Sequence, residues 1–210
     1  MPRMVGASIG GVSWIERIGY ETATGRLRTI YDRIRGPRGE LDNILTVHSL
    51  RPHTLEGHMA LYKNVLHHSA NVLPTWWLEV IGVFVSLLNR CGYCADHHAA
   101  GLARLLADEP RARAIRSALE ADALDGFDPR ERAMLAYARA LTLDPGSLTE
   151  ADLEPMRAAG LTDGEILEVN QVVAYFAYAN RTVSGLGVTT HGDVLGLSPA
   201  DTEGDDWSHG

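Results

Sequence analysis

Helical periodicity runs through most of the chain, and this feature most limits the folds that are open to it. Between residues 15 and 34, apolar side chains recur every three or four positions, and a Gly-Pro pair follows that would end a helix. Residues 53–68 repeat this spacing, and residues 73–88 are apolar on most faces, as in a buried helix. A run that could suggest a strand, residues 183–188, is short and rich in glycine. We therefore predict an all-α fold.

Three later segments begin with side chains that cap the N-termini of helices. In each, an Asp or Thr is followed three residues later by Glu or Asp, so that each side chain can bond the other residue's backbone amide. The pairs are Asp128 with Glu131, Thr149 with Asp152 and Thr162 with Glu165. These signals predict helices near residues 129–142, 150–159 and 163–182, and apolar spacing adds helices over 95–106 and 111–121.

The domain organisation follows from the length of the chain and from the point where apolar residues become sparse. A chain of 210 residues suits one domain or two closely packed halves. We expect a single all-α domain over residues 1–188, with an N-terminal helical extension at 13–70 and a core at 73–188. From residue 189 onward Gly, Thr, Asp, Ser and Pro dominate. Residues 189–210 are therefore predicted to form an acidic, flexible tail.

Charge and hydropathy argue against two classes of partner. The net charge of −8 argues against nucleic acid, because phosphate binding needs a concentrated basic face. The longest apolar stretch, residues 73–88, is too short to span a bilayer and contains Glu79. No signal peptide is apparent. We therefore expect no membrane partner and a cytoplasmic location, where thiols are kept reduced.

The two cysteines, Cys91 and Cys94, are the only ones in the sequence and stand three residues apart. This spacing is typical of redox or metal chemistry, because a structural disulfide usually closes a longer loop. On a helix, positions 91, 94 and 98 differ by three and then four, so both sulfurs and the His98 imidazole share one face. If Cys91 lies near the start of that helix, free amides and the helix dipole favour its thiolate.

Glu79 is the second unusual residue, because it is a carboxyl group inside an apolar helix. Burying an unpaired carboxylate is costly, so Glu79 should be neutral or should have a partner. If its helix packs against the helix that carries the cysteines, Glu79 could lie beside His98. The pair would then form a proton relay to the thiols.

Less active roles stay open for these residues. The cysteines could be two small buried apolar side chains, or Cys91, Cys94 and either His97 or His98 could bind zinc with a fourth ligand from elsewhere. Ala95 stands where haem attachment would need a histidine. We favour a site with no metal and no cofactor. His97 points about 100° away from His98 around the helix, so we expect it in solvent or at a subunit contact. We expect the remaining histidines to be surface or satisfied polar residues and not ligands.

The spacing of Glu79, Cys91, Cys94 and His98 resembles the motif of the alkylhydroperoxidase-D-like (AhpD-like) proteins within the carboxymuconolactone decarboxylase superfamily. The long N-terminal arm and the late run over residues 178–188 resemble its peroxidase-related branch. The resemblance covers roughly residues 15–188. The four-residue motif is fairly specific, whereas a bare Cys-X-X-Cys pair is not.

This resemblance implies an AhpD-like helical bundle that assembles as a homo-oligomer (a dimer, trimer or hexamer). It also implies an antioxidant peroxidase that reduces a hydroperoxide substrate and is restored by an external thiol reductant. By position, Cys94 resembles the cysteine that attacks the peroxide and becomes a sulfenic acid. Cys91 resembles the proton donor and resolving cysteine that closes the disulfide. His98 and Glu79 resemble the relay that deprotonates the thiol.

One position departs from the family pattern, since Tyr93 stands where the family motif has a histidine just before the second cysteine. A phenol with a pKa of about 10 cannot replace an imidazole as a base near pH 7. The relay would then be shorter here. Two other classes of function stay open: a carboxymuconolactone-decarboxylase-like enzyme with idle cysteines, and a non-enzymatic zinc-binding or redox-sensing module.

Overall fold

The structure is a computed structural model that describes residues 11–197, and all the regular structure in this range is helical. The prediction of an all-α fold is therefore confirmed. The α-helices are α1 (Gly25–Ile34), α2 (Asn43–Thr46), α3 (Pro52–Tyr62), α4 (Thr75–Leu88), α5 (Gly92–Leu106), α6 (Glu109–Glu120), α7 (Pro129–Leu143), α8 (Glu154–Ala158) and α9 (Asp163–Leu186). Short 3₁₀ turns lie at Tyr20–Thr22, Leu124–Gly126, Pro145–Ser147 and Glu150–Leu153, and a π turn at Lys63–His67.

Helix α4 lies at the centre of the fold, because its sequence is apolar on nearly every face. All its residues from Trp77 to Ser86 are buried, and α5, α6, α7 and α9 pack around it. At Gly82 the neighbouring helix comes so close that a Cβ atom would overlap the ring of Phe176. A helix enclosed in this way carries any polar residue in its sequence into the interior, and Glu79 is that residue.

A tight turn returns the chain from α4 to α5, so the two helices lie side by side. Arg90 adopts a left-handed backbone conformation with φ 58°, and the Cys91 amide donates a hydrogen bond to the Ser86 carbonyl at 2.8 Å. Further along the pair, Gly101 of α5 lies opposite the Glu79 carboxyl, where a Cβ atom would be 3.7 Å from the carboxyl carbon. The turn therefore brings the α4 carboxyl and the cysteine helix together.

The predicted and observed helices differ most at the N-terminal end. The apolar spacing over residues 15–34 predicted one helix, but only Gly25–Ile34 is α-helical, because Gly25 has a positive φ of 55° and interrupts the pattern. The preceding segment runs along the C-terminal end of α9, where the Trp14 amide donates to the Leu186 carbonyl at 2.8 Å. The segment 53–68 likewise divides into α3 and the π turn.

The capping signals predicted their helices correctly. Asp128, Thr149 and Thr162 each form the reciprocal capping arrangement. The last helix continues to Leu186, four residues beyond the predicted end, and stops at Gly187, whose φ of 62° is the usual end of a helix. Within residues 11–197, no helix is long and apolar enough to cross a membrane.

The C-terminal segment was expected to be flexible from residue 189, and the structure differs for residues 189–197. The Thr189 amide donates to the Val12 carbonyl at 3.0 Å, and the Asn43 side-chain amide donates to the carbonyls of Thr189 and His191. Gly196 is buried against α5. Backbone hydrogen bonds to distant segments stabilise residues that composition alone marks as tail. The predicted tail at 198–210 lies outside the described residues.

Candidate active site

A small cavity of about 40 Å³ lies inside the helical bundle, beside the cysteine pair. Its wall includes Cys94 and His98 of α5, Glu79 of α4, Tyr62 of α3 and Tyr175 of α9. A single water needs about 10–15 Å³ of such space. The cavity therefore has room for a ligand of only a few heavy atoms.

The cysteine pair lies at the start of α5. Cys91 is the N-cap residue and Cys94 lies one turn into the helix. Both are free thiols with only 2% of their surface exposed. Both cysteines belong to a small apolar cluster with residues that include Val183 and Val188. Only Cys94 also lines the cavity.

The charge of the pair resides on Cys91. The hydrogen bond from the Cys94 thiol is the main cause that lowers the pKa of Cys91 from its ordinary value of 9.0 to about 7, and the Cys94 amide, Ser184 and His98 act in the same direction. The same hydrogen bond, together with burial, raises the pKa of Cys94 well above 9.0. A thiolate at a helix N-terminus is also stabilised by the helix dipole. Near neutral pH, Cys91 is thus partly thiolate and Cys94 carries the shared proton.

Glu79 and His98 meet as the sequence predicted. The His98 Nδ1 atom is 2.6 Å from Glu79 Oε2, and the Glu79 side chain is almost fully buried. The second carboxylate oxygen, Oε1, lies 3.8 Å from His67 Nε2. The carboxylate therefore has two imidazole neighbours. His67 was expected at the surface or as a satisfied polar residue, and in the structure it is buried in the π turn after α3.

Aromatic rings form much of the remaining wall. Tyr62 and Tyr175 stack with ring centroids 5.6 Å apart, and Phe176 meets the His98 ring edge-on at 4.5 Å. Burial raises the pKa of both tyrosines well above their ordinary value of 10. These phenols therefore stay protonated, and the rings enclose the thiol and the imidazole in surroundings of low polarity.

A second polar cluster lies beside the first and contains residues that sequence reasoning did not assign. The Tyr93 hydroxyl donates to Asp193 Oδ2 at 2.7 Å and accepts a hydrogen bond from the Ile44 amide at 3.1 Å. The His97 Nε2 atom lies 3.2 Å from the same Asp193 oxygen, and Asp42 Oδ2 lies 3.9 Å from His97 Nδ1. Tyr93 therefore links three separate segments of the chain, which is a structural role and not that of a base.

One expectation about this region was wrong. His97 was expected in solvent or at a subunit contact, but it is buried, because residues 189–197 cover its side of α5. Asp42 and Asp193 carried no recognisable sequence signal, since neither belongs to a motif and they stand 151 positions apart. Burial is the main cause that raises the pKa of Asp42 to about 7. Across residues 11–197, no group of three or more His, Cys, Asp or Glu residues is arranged to hold a metal ion.

Known proteins resemble part of this chain in sequence and most of it in fold. Residues 52–140, from α3 into α7, match the model of the carboxymuconolactone decarboxylase family. No curated protein matches the chain.

Several solved structures resemble it closely in fold. An uncharacterized peroxidase-related protein from Ralstonia eutropha JMP134, described as an alkylhydroperoxidase AhpD core, has a TM-score of 0.75 and 23% identity, and the match covers 85% of this chain and 92% of that one. A peroxidase-related protein from Silicibacter sp. TM1040 has a TM-score of 0.69 and 25% identity over 79% and 87% of the two chains. The debrominase Bmp8 has a TM-score of 0.67 and 20% identity over 85% and 90%.

The family match lies on the helices that carry the cysteines, Glu79 and His98, and the shared fold extends over most of the chain. Residues 52–140 therefore resemble the carboxymuconolactone decarboxylase family, and the chain has the fold of the AhpD-like structures.

Proposed function

We propose that the protein is a thiol-dependent peroxidase that reduces hydroperoxides through a Cys91–Cys94 dithiol–disulfide cycle. The observation that carries the proposal is the position of Cys94, which faces the same cavity as the Glu79–His98 pair and hydrogen-bonds a neighbour with a lowered pKa. A buried thiol beside a group that can accept its proton is arranged as an activated nucleophile. The peroxidase-related proteins of similar fold agree with this reading.

The first step is attack of the Cys94 sulfur on the distal oxygen of the hydroperoxide. Cys94 must lose its proton as it attacks, and the Cys91 thiolate accepts that proton across their hydrogen bond. The O–O bond breaks, Cys94 becomes a sulfenic acid, and the alkoxide leaves with the electron pair. The Cys91 thiol then protonates the alkoxide to the alcohol and becomes a thiolate again.

The second step joins the two sulfurs. The Cys91 thiolate attacks the Cys94 sulfenic sulfur and displaces hydroxide, which takes a proton from His98 and leaves as water. Glu79 holds the His98 ring in place by the 2.6 Å contact. The cysteines are three residues apart at the start of one helix, so the disulfide forms with little movement of the backbone.

An external thiol reductant completes the cycle. Two reductant thiols give up two electrons and two protons to the disulfide, and Cys91 and Cys94 return to the reduced state. The whole reaction converts one hydroperoxide and two thiols into an alcohol, a water and a disulfide. We also propose a homo-oligomeric assembly, in keeping with the family resemblance, and light scattering of the purified protein measures it directly.

The cycle is tested by mass spectrometry of the intact protein before and after treatment with hydrogen peroxide. We expect a loss of two hydrogens that maps to a Cys91–Cys94 peptide.

Cys94→Ser should abolish hydroperoxide consumption, and Cys91→Ser should accumulate a sulfenic acid that a dimedone probe labels. Glu79→Gln keeps the shape of the side chain and should lower the turnover by about 10²-fold, because His98 loses its carboxyl partner. The matched control is Glu150→Gln at a side chain that is 89% exposed.

Two results would contradict this proposal. Unchanged peroxide turnover in both cysteine variants would remove the thiols from the reaction. A different activity that survives alkylation of both cysteines would favour a decarboxylase-like enzyme with idle thiols.

A further inference from the structure

Residues 189–197, which we call the C-terminal strap, form one side of the cavity. Leu197 of the strap lines the cavity directly. Asp42, Tyr93 and His97 line it as well, and the last two contact Asp193 of the strap. Apart from Asp42, which directly precedes α2, the other lining residues lie on the packed helices of the bundle. Leu197 therefore belongs to one of the two segments of irregular chain in the wall.

Polar contacts hold the strap in place. Asp193 has a side chain only 3% exposed, and it accepts hydrogen bonds from the Tyr93 hydroxyl and from the Asn43 amide. Further along, the Arg104 guanidinium donates to the Gly196 carbonyl at 2.6 Å. The strap is also held at its start, where Thr189 and His191 accept hydrogen bonds from the Asn43 side chain. The contacts at Asp193 and Gly196 lie on either side of Val194 and Leu195.

Burial of apolar side chains contributes little to holding the strap between Asp193 and Gly196. Val194 is 38% exposed and Leu195 is 40% exposed. A segment that a few hydrogen bonds hold, without a buried apolar face, belongs to the parts of a protein that open locally at low free-energy cost. Displacing the strap thus costs less than unfolding a helix, and it opens the cavity that Cys94 lines.

The size of the cavity limits which hydroperoxides can reach Cys94 while the strap is in place. With the strap in place, about 40 Å³ accepts a molecule as small as hydrogen peroxide. An aryl hydroperoxide such as cumene hydroperoxide carries a ring that has no room beside Tyr62 and Tyr175. Such a substrate reaches Cys94 only when the strap has moved.

We propose that the C-terminal strap is a size-selective gate over Cys94, with Asp193 as its latch and Leu197 as its inner face. Hydrogen peroxide reacts with the strap closed, and bulky hydroperoxides react only with the fraction of molecules in which it is open. This inference rests on the proposed peroxidase function for its substrates. The gate itself is a property of access to the Cys94 thiol and is measurable without any peroxide.

The chain offers a matched pair of glycines for loosening the strap. Gly196 has φ +80°, and a Cβ atom there would lie 2.8 Å from the Ala100 carbonyl carbon of α5. Gly192 has nearly the same conformation, φ +84°, with nothing within 4 Å of such an atom. Gly196→Ala therefore adds backbone strain and pushes the strap off α5, whereas Gly192→Ala adds only the strain. Asp193→Asn is the second variant and weakens the latch without adding bulk.

The first measurement is the rate of alkylation of Cys94 in the Cys91→Ser background, with iodoacetamide as the small reagent and a pyrene maleimide as the bulky one. Dividing the rate for the bulky reagent by the rate for the small one removes the effect of any change in the intrinsic reactivity of the thiol. We expect Gly196→Ala and Asp193→Asn to raise the bulky-to-small ratio roughly tenfold, the factor expected when a hydrogen bond to a charged group is lost. Gly192→Ala should leave the ratio within about twofold. An unchanged ratio in both strap variants, at unaltered helix content, overturns the gate.

The second measurement compares turnover of cumene hydroperoxide and hydrogen peroxide with both cysteines present. The gate predicts that Gly196→Ala raises the cumene-to-hydrogen-peroxide ratio by a similar factor and that Gly192→Ala does not. If the bulky-to-small alkylation ratio rises in the strap variants but no variant consumes peroxide, the gate proposal is supported and the peroxidase proposal fails. If peroxides are consumed but neither ratio responds, the peroxidase proposal stands and the gate fails.

Discussion

At the scale of single residues, the site contains more buried charge than a peroxidase motif of two cysteines would suggest. Glu79 has imidazole neighbours on both oxygens, and Asp42 and Asp193 both lie beside His97. Buried carboxylates are tolerated only with partners or with a proton. The protein uses both solutions, since Glu79 has close partners and Asp42 has a raised pKa.

The raised pKa of Asp42 predicts a pH dependence of stability. Its pKa is about 7 in the folded protein against 3.8 ordinarily, so between these values the folded state holds a proton that the unfolded chain has released. The free energy of unfolding should therefore fall as pH rises from about 4 to about 7, with this contribution fully present below 4 and lost above 7. Asp42→Asn should remove up to about 4 kcal/mol of that change.

Urea denaturation of both proteins at a series of pH values measures this effect. The groups that face Asp42 are His97, Asp193 and Glu40, so the comparison with Asp42→Asn isolates the Asp42 contribution. The control is Asp125→Asn at an exposed position. Identical pH profiles for wild type and Asp42→Asn would contradict the prediction.

At the scale of the helices, the site depends on how closely α4 approaches its neighbours. Gly82 of α4 leaves room for the ring of Phe176 in α9, and Phe176 in turn contacts the His98 ring. The approach of α4 and α9 therefore sets the position of the imidazole. The π turn after α3 has a comparable effect, because its extra residue turns His67 toward Glu79.

Two glycine-to-alanine substitutions distinguish the effect of close helix packing on the free energy of unfolding from the effect of helix propensity. Gly82→Ala should lower the free energy of unfolding by about 1–3 kcal/mol, because the methyl group would overlap the Phe176 ring. Gly57→Ala in α3 is the matched control, since Gly57 is exposed and nothing lies within 4 Å. It should stabilise the protein by up to about 1 kcal/mol. Chemical denaturation measures both, and equal effects of the two variants would be inconsistent with the close approach.

At the scale of the whole molecule, the two ends of the described chain meet beside α5. Thr189 bonds the backbone at Val12, and Asn43 bonds the strap through its side chain and its amide. The Asn43 carbonyl oxygen on the side chain also accepts a hydrogen bond from Arg17. One buried amide thus connects the N-terminal segment, the start of α2 and the strap.

Asn43→Ala should therefore destabilise the protein by about 2–3 kcal/mol, because several buried polar groups lose their partner at once. Asn64→Ala is the control, since Asn64 is exposed and donates only to the Ala60 carbonyl within its own helical segment. It should change stability by less than about 0.5 kcal/mol. Thermal or urea unfolding of both variants distinguishes the roles, and equal small effects would show that Asn43 is not a connecting residue.

The helices themselves were largely predictable, because their signals are local. Each capping pair lies within four residues; Asp128 and Thr162 begin α7 and α9 as expected, and Thr149 begins the 3₁₀ turn that leads into α8. The contact of Glu79 with His98 also followed from sequence, since an apolar helix must bury its carboxyl beside a partner. The N-terminal helix was predicted too long, because a left-handed conformation such as that of Gly25 leaves no trace in apolar spacing.

The second polar cluster and the strap could not be predicted, because their contacts join residues that are distant in sequence. Tyr93 differs from the family histidine, and only the position of Asp193 a hundred residues later explains what the phenol does. Residues 189–197 have the composition of a flexible tail, but hydrogen bonds with Asn43 and Arg104 hold them in place. Such long-range hydrogen bonds leave no pattern along the sequence. The sequence by itself determined the helices, the dithiol and its carboxyl–imidazole partner. Tertiary structure alone decided which thiol faces the cavity and what covers it, because both depend on the packing of segments that no local signal connects.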